Sequence, residues 1–168
     1  MSARPKPPRL RWIGVDPASG KSHAVAWQRA DGTWRWERPA NTATALRDTL
    51  QRAIADGAGG VAVEDGYVGV NPRVSQALDQ ARGIVRSVAE LLDQPCVSIQ
   101  PAQWRASELS WCGWTPHTSG ADCKALALRC VRLAHRVDTD DHDVAEAICI
   151  AAFVSQRSSY GESIGVTW

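Results

Sequence analysis

The segment Val61-Ala62-Val63-Glu64-Asp65-Gly66 decides the fold. Its apolar run is brief and does not alternate with polar residues, the pattern of a strand buried on both faces of a parallel sheet, and it stops at a turn. Helical patterns flank it. Upstream, Asn41 can cap a helix running to about Asp56, with Ala45, Leu46, Thr49, Leu50, Ala53 and Ile54 on one stripe and Gly57 to Gly60 ending it. Downstream, a long helix from Pro72 to Leu92 leads to a second strand, Cys96 to Ile99, and a short helix from Pro101. Further out, Arg11 to Val15 is a strand that stops at Asp16-Pro17-Ala18-Ser19-Gly20. Ser22 to Gln28 and Thr33 to Glu37 read as two more strands around the Asp31-Gly32 turn. A loop rich in Trp and Gly and two closing helices, about 121 to 135 and 140 to 156, complete the chain. Three meandering strands followed by strands alternating with helices predict an α/β fold, its sheet antiparallel on one side and parallel on the other.

The chain has 168 residues, 44% of them hydrophobic and 22% charged, enough for one domain with a single core. The organisation expected is a basic tail over 1–10, the folded domain over 11–157 and a flexible end over 158–168. No run of about 18 apolar residues and no signal sequence occurs, which predicts a soluble, cytoplasmic protein with no membrane partner. Five scattered cysteines, without a C-x-x-C pair, read as reduced thiols. A zinc site from Cys112, His117, Cys123 and His135 would match no usual spacing. The net charge of +1 hides an asymmetry: residues 1–60 carry ten Lys/Arg against five Asp/Glu, the remainder nine against thirteen. A phosphate-binding surface and a separate acidic cluster can coexist in that distribution.

Two sets of residues suggest chemistry. The first, Gly20-Lys21-Ser22, has the ending of a phosphate-binding loop, but the leading glycine is misplaced and His23-Ala24-Val25-Ala26-Trp27 alternates like a strand, so no nucleotide is expected. The second is acidic. Asp16 and Glu64 each follow a buried strand and so emerge at the rim of the sheet, because a charge inside the core is costly. Asp138, Asp140, Asp141, Asp143 and Glu146 crowd the start of an otherwise apolar helix. Asp143 and Glu146 share one face of it. So do Asp140 and Asp143, so two registers are open, although capping accounts for acids at a helix start. Converging carboxylates repel one another unless cations lie between them.

Four motifs in order resemble the RuvC-type Holliday junction resolvases: Val15-Asp16-Pro17-Ala18-Ser19, Val61 to Glu64 followed by Asp65-Gly66-Tyr67-Val68-Gly69-Val70-Asn71, Gln80-Ala81-Arg82-Gly83, and His142-Asp143-Val144-Ala145-Glu146-Ala147-Ile148. The resemblance covers about residues 11 to 154. It implies a ribonuclease-H-like fold with a mixed five-stranded sheet, a homodimer, and magnesium-dependent cutting of four-way DNA junctions by paired symmetrical nicks. Two Mg2+ ions, with Mn2+ as a substitute, would be held by Asp16, Glu64, Asp143 and Glu146 as catalytic carboxylates. The last acidic position, usually aspartate in that family, is Glu146 here, and the loop Ser110 to Gly120 is longer and more aromatic than expected. The resemblance also places Tyr67 and Asn71 near the junction, and Arg105 and Lys124 at basic positions beside the active site. His142 is a candidate proton carrier and Asp140 the alternative helix ligand. The Pro72 to Leu92 helix is apolar on more than one stripe, which with the resemblance points to a two-fold dimer through it. A nuclease for other branched DNA or RNA–DNA hybrids, and a junction-binding protein that does not cut, remain as alternatives.

Overall fold

The computed structural model of the chain describes residues 11–18, 20, 22–66 and 72–159. Five strands form one sheet: β1 (Ile13–Asp16), β2 (Ala24–Gln28), β3 (Trp34–Glu37), β4 (Val61–Glu64) and β5 (Cys96–Ile99), in the order β3-β2-β1-β4-β5. β1–β2 and β2–β3 pair antiparallel, while β1–β4 and β4–β5 pair parallel. The mixed sheet is the one expected, three strands antiparallel and two parallel. The helices are α1 (Ala43–Ala55), α2 (Pro72–Leu91), α3 (Pro101–Glu108), α4 (Gly120–Ala134) and α5 (His142–Ser159), with a single 3-10 turn over Ser110–Cys112.

Side chains alternate across a strand, and here the alternation divides them by size. Ile13, Val15, Val25, Trp27, Val61 and Val63 form one core with Leu46 and Leu50 of α1 and Val85, Val88 and Ala89 of α2. Ala24, Ala26 and Ala62 face the other way, into a core shared with α3, α4 and α5. At the centre of that second face is Gly14, where a Cβ would run into the Ala147 carbonyl oxygen and lie 2.8 Å from the Ala151 nitrogen. Glycine therefore allows α5 to lie directly on β1. Asp16, two residues further on, points to the same face, so the close crossing that needs Gly14 also carries the start of α5 to the end of β1.

Two helix starts differ from the sequence reading. Thr42, not Asn41, caps α1: its Oγ1 accepts from the Ala45 N–H at 3.3 Å, while the Asn41 side chain donates to the Ala18 carbonyl at 3.0 Å. The last helix begins at His142 rather than near 140. Thr139 Oγ1 accepts from the Asp141 N–H at 3.1 Å, a turn that holds Asp140 and Asp141 out of the helix. Asp141 then acts as the cap, its Oδ1 accepting from the N–H groups of Asp143 (3.0 Å) and Val144 (3.2 Å). The segment after Lys21 enters β2, not the helix a phosphate-binding loop requires. Among the described residues, no helix is long and apolar enough to cross a membrane.

Candidate metal and nucleic-acid site

Parallel pairing of β1 with β4 aligns Val15 with Val63, so the next residues, Asp16 and Glu64, leave adjacent strands at the same rim. α5 crosses above them. Carboxylate oxygens of Asp16, Asp143 and Glu146 lie within 4.8 Å of one another. Glu64 stands beside this trio and is joined to Glu146 through Arg105 of α3, whose Nη2 lies 3.8 Å from Glu64 Oε1 and 3.5 Å from Glu146 Oε1. Asp143 and Glu146, rather than Asp140, are thus the helix carboxylates brought to Asp16. Asp140 is exposed and takes no part in the cluster, because the Thr139 turn leaves it outside the helix.

The electrostatics are those of a cation site. Burial pushes the Asp16 carboxyl well above the ordinary range, and Glu64, Glu146 and Asp143 raise it further. Burial raises Glu64 as well, with Arg105 opposing. Glu146 is pushed up to about 7, by burial first and then by Glu64. Glu64 Oε2 is buried without a hydrogen-bond partner among the described residues. The Trp104 indole N–H acts on this carboxylate from nearby and lowers it, and a hard divalent cation would satisfy the buried oxygen further. The donor set, carboxylate oxygens alone, fits magnesium or manganese better than a soft metal.

Positive groups ring the acids. Lys124 Nζ of α4 is 3.7 Å from Asp143 Oδ1, and His142 Nε2 is 3.1 Å from the same oxygen. Arg105 and Lys124, expected beside the active site, are thus directed at its carboxylates. His142 is about two-fifths exposed, consistent with access to solvent. Two arginines add functions that the sequence reading did not assign. Arg38, just after β3, reaches Asp141 at 3.3 Å and Asp143 at 3.2 Å. Arg82 of α2 is buried and donates from Nε to the Glu64 carbonyl at 3.0 Å, fixing the end of β4. Nothing in its spacing distinguished Arg38, whereas Arg82 entered the sequence reading only within the Gln80-Ala81-Arg82-Gly83 motif, although a charge among the apolar positions of that helix was the signal that could have marked it. Tyr67 and Asn71 lie outside the described residues.

The four residues of the weighed zinc site do not converge among the described residues. Cys112 and Cys123 are buried, His117 is exposed, and His135 turns to other partners, Glu108 and Cys130.

No protein-family model matches the sequence, and no curated protein matches it. Solved structures do resemble it. RuvC of T. thermophilus in complex with a Holliday junction substrate superposes with a TM-score of 0.66 at 15% identity, covering 90% of this chain and 96% of that one. A fowlpox virus resolvase bound to Holliday junction DNA gives 0.56 at 11% identity, over 89% of this chain and 99% of that one. A yeast mitochondrial Holliday junction resolvase gives 0.52 at 12% identity, over 94% and 82%. The fold is the RuvC-like, ribonuclease-H-like nuclease fold.

Proposed function

We propose that this chain is a divalent-metal-dependent endonuclease that resolves four-way DNA junctions by paired symmetrical phosphodiester hydrolysis. One observation carries the reading: the oxygens of Asp16, Asp143 and Glu146 converge within 4.8 Å at the rim of a RuvC-like sheet. The neighbours, by their own description, bind Holliday junctions.

Two Mg2+ ions, or Mn2+ in their place, would activate the attacking water and stabilise the leaving oxygen. Asp16 would hold both, Glu64 and Glu146 one each, and Asp143 would complete the set or orient the water. Arg105 stands between Glu64 and Glu146 and partly offsets the burial that raises both carboxyls. Lys124 and His142 stand on the outer side of Asp143, where a phosphate would approach; Lys124 offsets the phosphate charge and His142 can take or return a proton. Arg38 fixes the rotamer of Asp143 while also touching the helix cap, so α5 and the carboxylate are positioned together. Tyr67 and Asn71 would meet the unpaired bases at the junction centre, by stacking and hydrogen bonding respectively. A homodimer would deliver the two symmetric nicks; on α2, Val74 and Leu91 are exposed apolar residues suited to such a contact.

The test is a synthetic four-way junction incubated with the protein and Mg2+, with products sized on a denaturing gel beside a flap, a plain duplex and an RNA–DNA hybrid. Symmetrical nicks on opposite strands of the junction, abolished by EDTA, are expected. Preferential cutting of the hybrid or flap would assign a different substrate, and junction binding with no cleavage in any metal would make the chain a binding protein.

A further inference from the structure

Behind the carboxylate rim, on the same face of the sheet, a second group of ligand-type side chains comes together: Glu108 at the end of α3, Cys130 in α4 and His135 at the C-terminal cap of α4. One atom from each, a carboxylate oxygen, Sγ and a ring nitrogen, lies within 4.8 Å of the other two. Cys130 is fully buried, and the side chains of Glu108 and His135 are 7% and 14% exposed. From these residues we propose a zinc-binding site, structural in role and separate from the catalytic rim, with Glu108, Cys130 and His135 as its protein ligands.

Four observations support it. First, His135 Nε2 is buried with no hydrogen-bond partner among the described residues, 3.9 Å from Glu108 Oε2, which is too long for a hydrogen bond. Against burial, Cys130 and Glu108 both act on this ring and favour its protonated form, raised to about 9, so a cation held between the three groups would take the place of that proton. Second, the charges suit a divalent cation: with a thiolate, a carboxylate and an imidazole that gives up its proton on binding, the site keeps no net charge. Third, the donor set is soft and mixed, as zinc prefers and magnesium does not. Metal–ligand bonds of about 2.0–2.3 Å require the three atoms to close in by roughly 1 Å, within the reach of the Glu108 and His135 side chains. Fourth, there is a route in: a cavity of about 450 Å³ lined by Trp34, Trp36, His135 and Val137 opens beside the imidazole. Trp34 packs edge-on against the ring at 5.4 Å, which holds its orientation.

The position gives the site a purpose. Glu108 lies one helical turn after Arg105, and Cys149, beside Cys130, lies one turn after Glu146. A metal here would clamp the end of α3 to the end of α4 behind the carboxylate rim, without itself reaching it.

The experiment uses the full chain, purified without chelator and dialysed against Mg2+, with bound metal measured by mass spectrometry. About one zinc per chain is expected, retained in Asp16→Asn, which alters only the rim, and in Cys96→Ser, a cysteine on β5. Cys130→Ser and His135→Gln should each lower zinc affinity by at least about 100-fold. Loading with Co2+ alone should give a thiolate-to-cobalt charge-transfer band in the near ultraviolet that the all-oxygen rim cannot produce. His135→Gln, at a partly exposed position, keeps the test decisive should Cys130→Ser fail to fold. Wild-type protein with no charge-transfer band, or a folded His135→Gln protein with wild-type zinc affinity, would overturn the proposal.

Discussion

The two faces of the sheet are packed on opposite principles. Toward α1 and α2 the strands present Ile13, Val15, Val25, Trp27, Val61 and Val63, large side chains that fill the space between sheet and helix. Toward α5 they present Gly14, Ala24, Ala26 and Ala62, and the helix answers with its own small residues, Ala147 and Ala151. At these strands the first face packs side chain against side chain; the second brings backbone close to backbone. The difference teaches how the site is placed. Both faces bury large cores, but only the close crossing over Gly14 and the alanines carries Asp143 and Glu146 over Asp16. The functional carboxylates all belong to that second face.

The comparison is tested most severely at its functional centre. Asp16→Asn should lower junction cleavage by at least about a thousandfold, the size expected when a group essential to transition-state stabilisation is lost. Its metal-free melting temperature should hold or rise, because the substitution removes a buried charge repelled by three neighbours. A large fall in melting temperature would make Asp16 a structural residue.

On the opposite face, Leu50→Ala should cost about 2–5 kcal/mol of stability, the range for emptying a buried leucine, and leave the cleavage rate unchanged well below the melting point. Gly14→Ala should cost less, about 1–3 kcal/mol, because the added methyl must push α5 away from β1. Yet it should damage Mg2+ affinity and cleavage where Leu50→Ala does not. Urea unfolding and metal titration of both proteins provide the measurement. Equal effects on function would show that the faces are not divided as described.

The same crowding of carboxylates makes stability depend on pH. Glu146 is raised from an ordinary value of 4.5 to about 7, so the native state holds its proton more tightly than the unfolded chain does. Its destabilising effect is absent below about pH 4.5, grows between 4.5 and 7 and is complete above. The metal-free protein should therefore melt at a lower temperature at pH 8 than at pH 6, and Glu146→Gln should flatten that slope. A wild-type slope in the variant would assign the effect to other groups.

Much of this arrangement could be read from the sequence, for physical reasons. Uninterrupted apolar runs ending in Asp16 and Glu64 fix both the parallel strands and the rim, since a carboxylate after such a run has nowhere else to go. Gly14 allows the close crossing of α5 over β1, but a glycine inside a strand gives no sign of which helix will lie on it. Arg38 was hidden because one charge after an edge strand looks like any solvated charge; only the fold brings it to Asp143. The cluster of Glu108, Cys130 and His135 draws on separated turns whose spacing fits no recurring ligand motif; the sequence reading set His135 beside Cys112, His117 and Cys123, a grouping equally without a usual spacing, and gave no sign of Glu108 or Cys130. Asn41 was misassigned as a cap because it adjoins another good capping residue, Thr42, and a bond to the distant Ala18 carbonyl engages its side chain. Asp140 was open as a helix ligand only while the helix start was open; the Thr139 turn leaves it outside α5.

The smallest predicted effect isolates that last case. Asp140 and Asp141 are identical in chemistry and adjacent in sequence, so any difference between their variants reports position alone. Asp141 accepts two N–H groups of the first turn of α5 and a contact from Arg38, whereas Asp140 is exposed. Asp141→Ala should therefore cost about 1 kcal/mol, as loss of a helix cap does, and Asp140→Ala should fall within about 0.5 kcal/mol of wild type. Asp141→Ala should also lower cleavage modestly, because Arg38 then has Asp143 as its sole carboxylate partner and draws it from the metal position. Restoring the cap with Asp141→Ser separates the two roles: a serine oxygen can accept the same N–H groups but cannot hold the guanidinium. Stability should return while the cleavage defect remains. If the serine variant regained both, Arg38 would have no part in positioning Asp143, and the helix start alone would set the carboxylate in place.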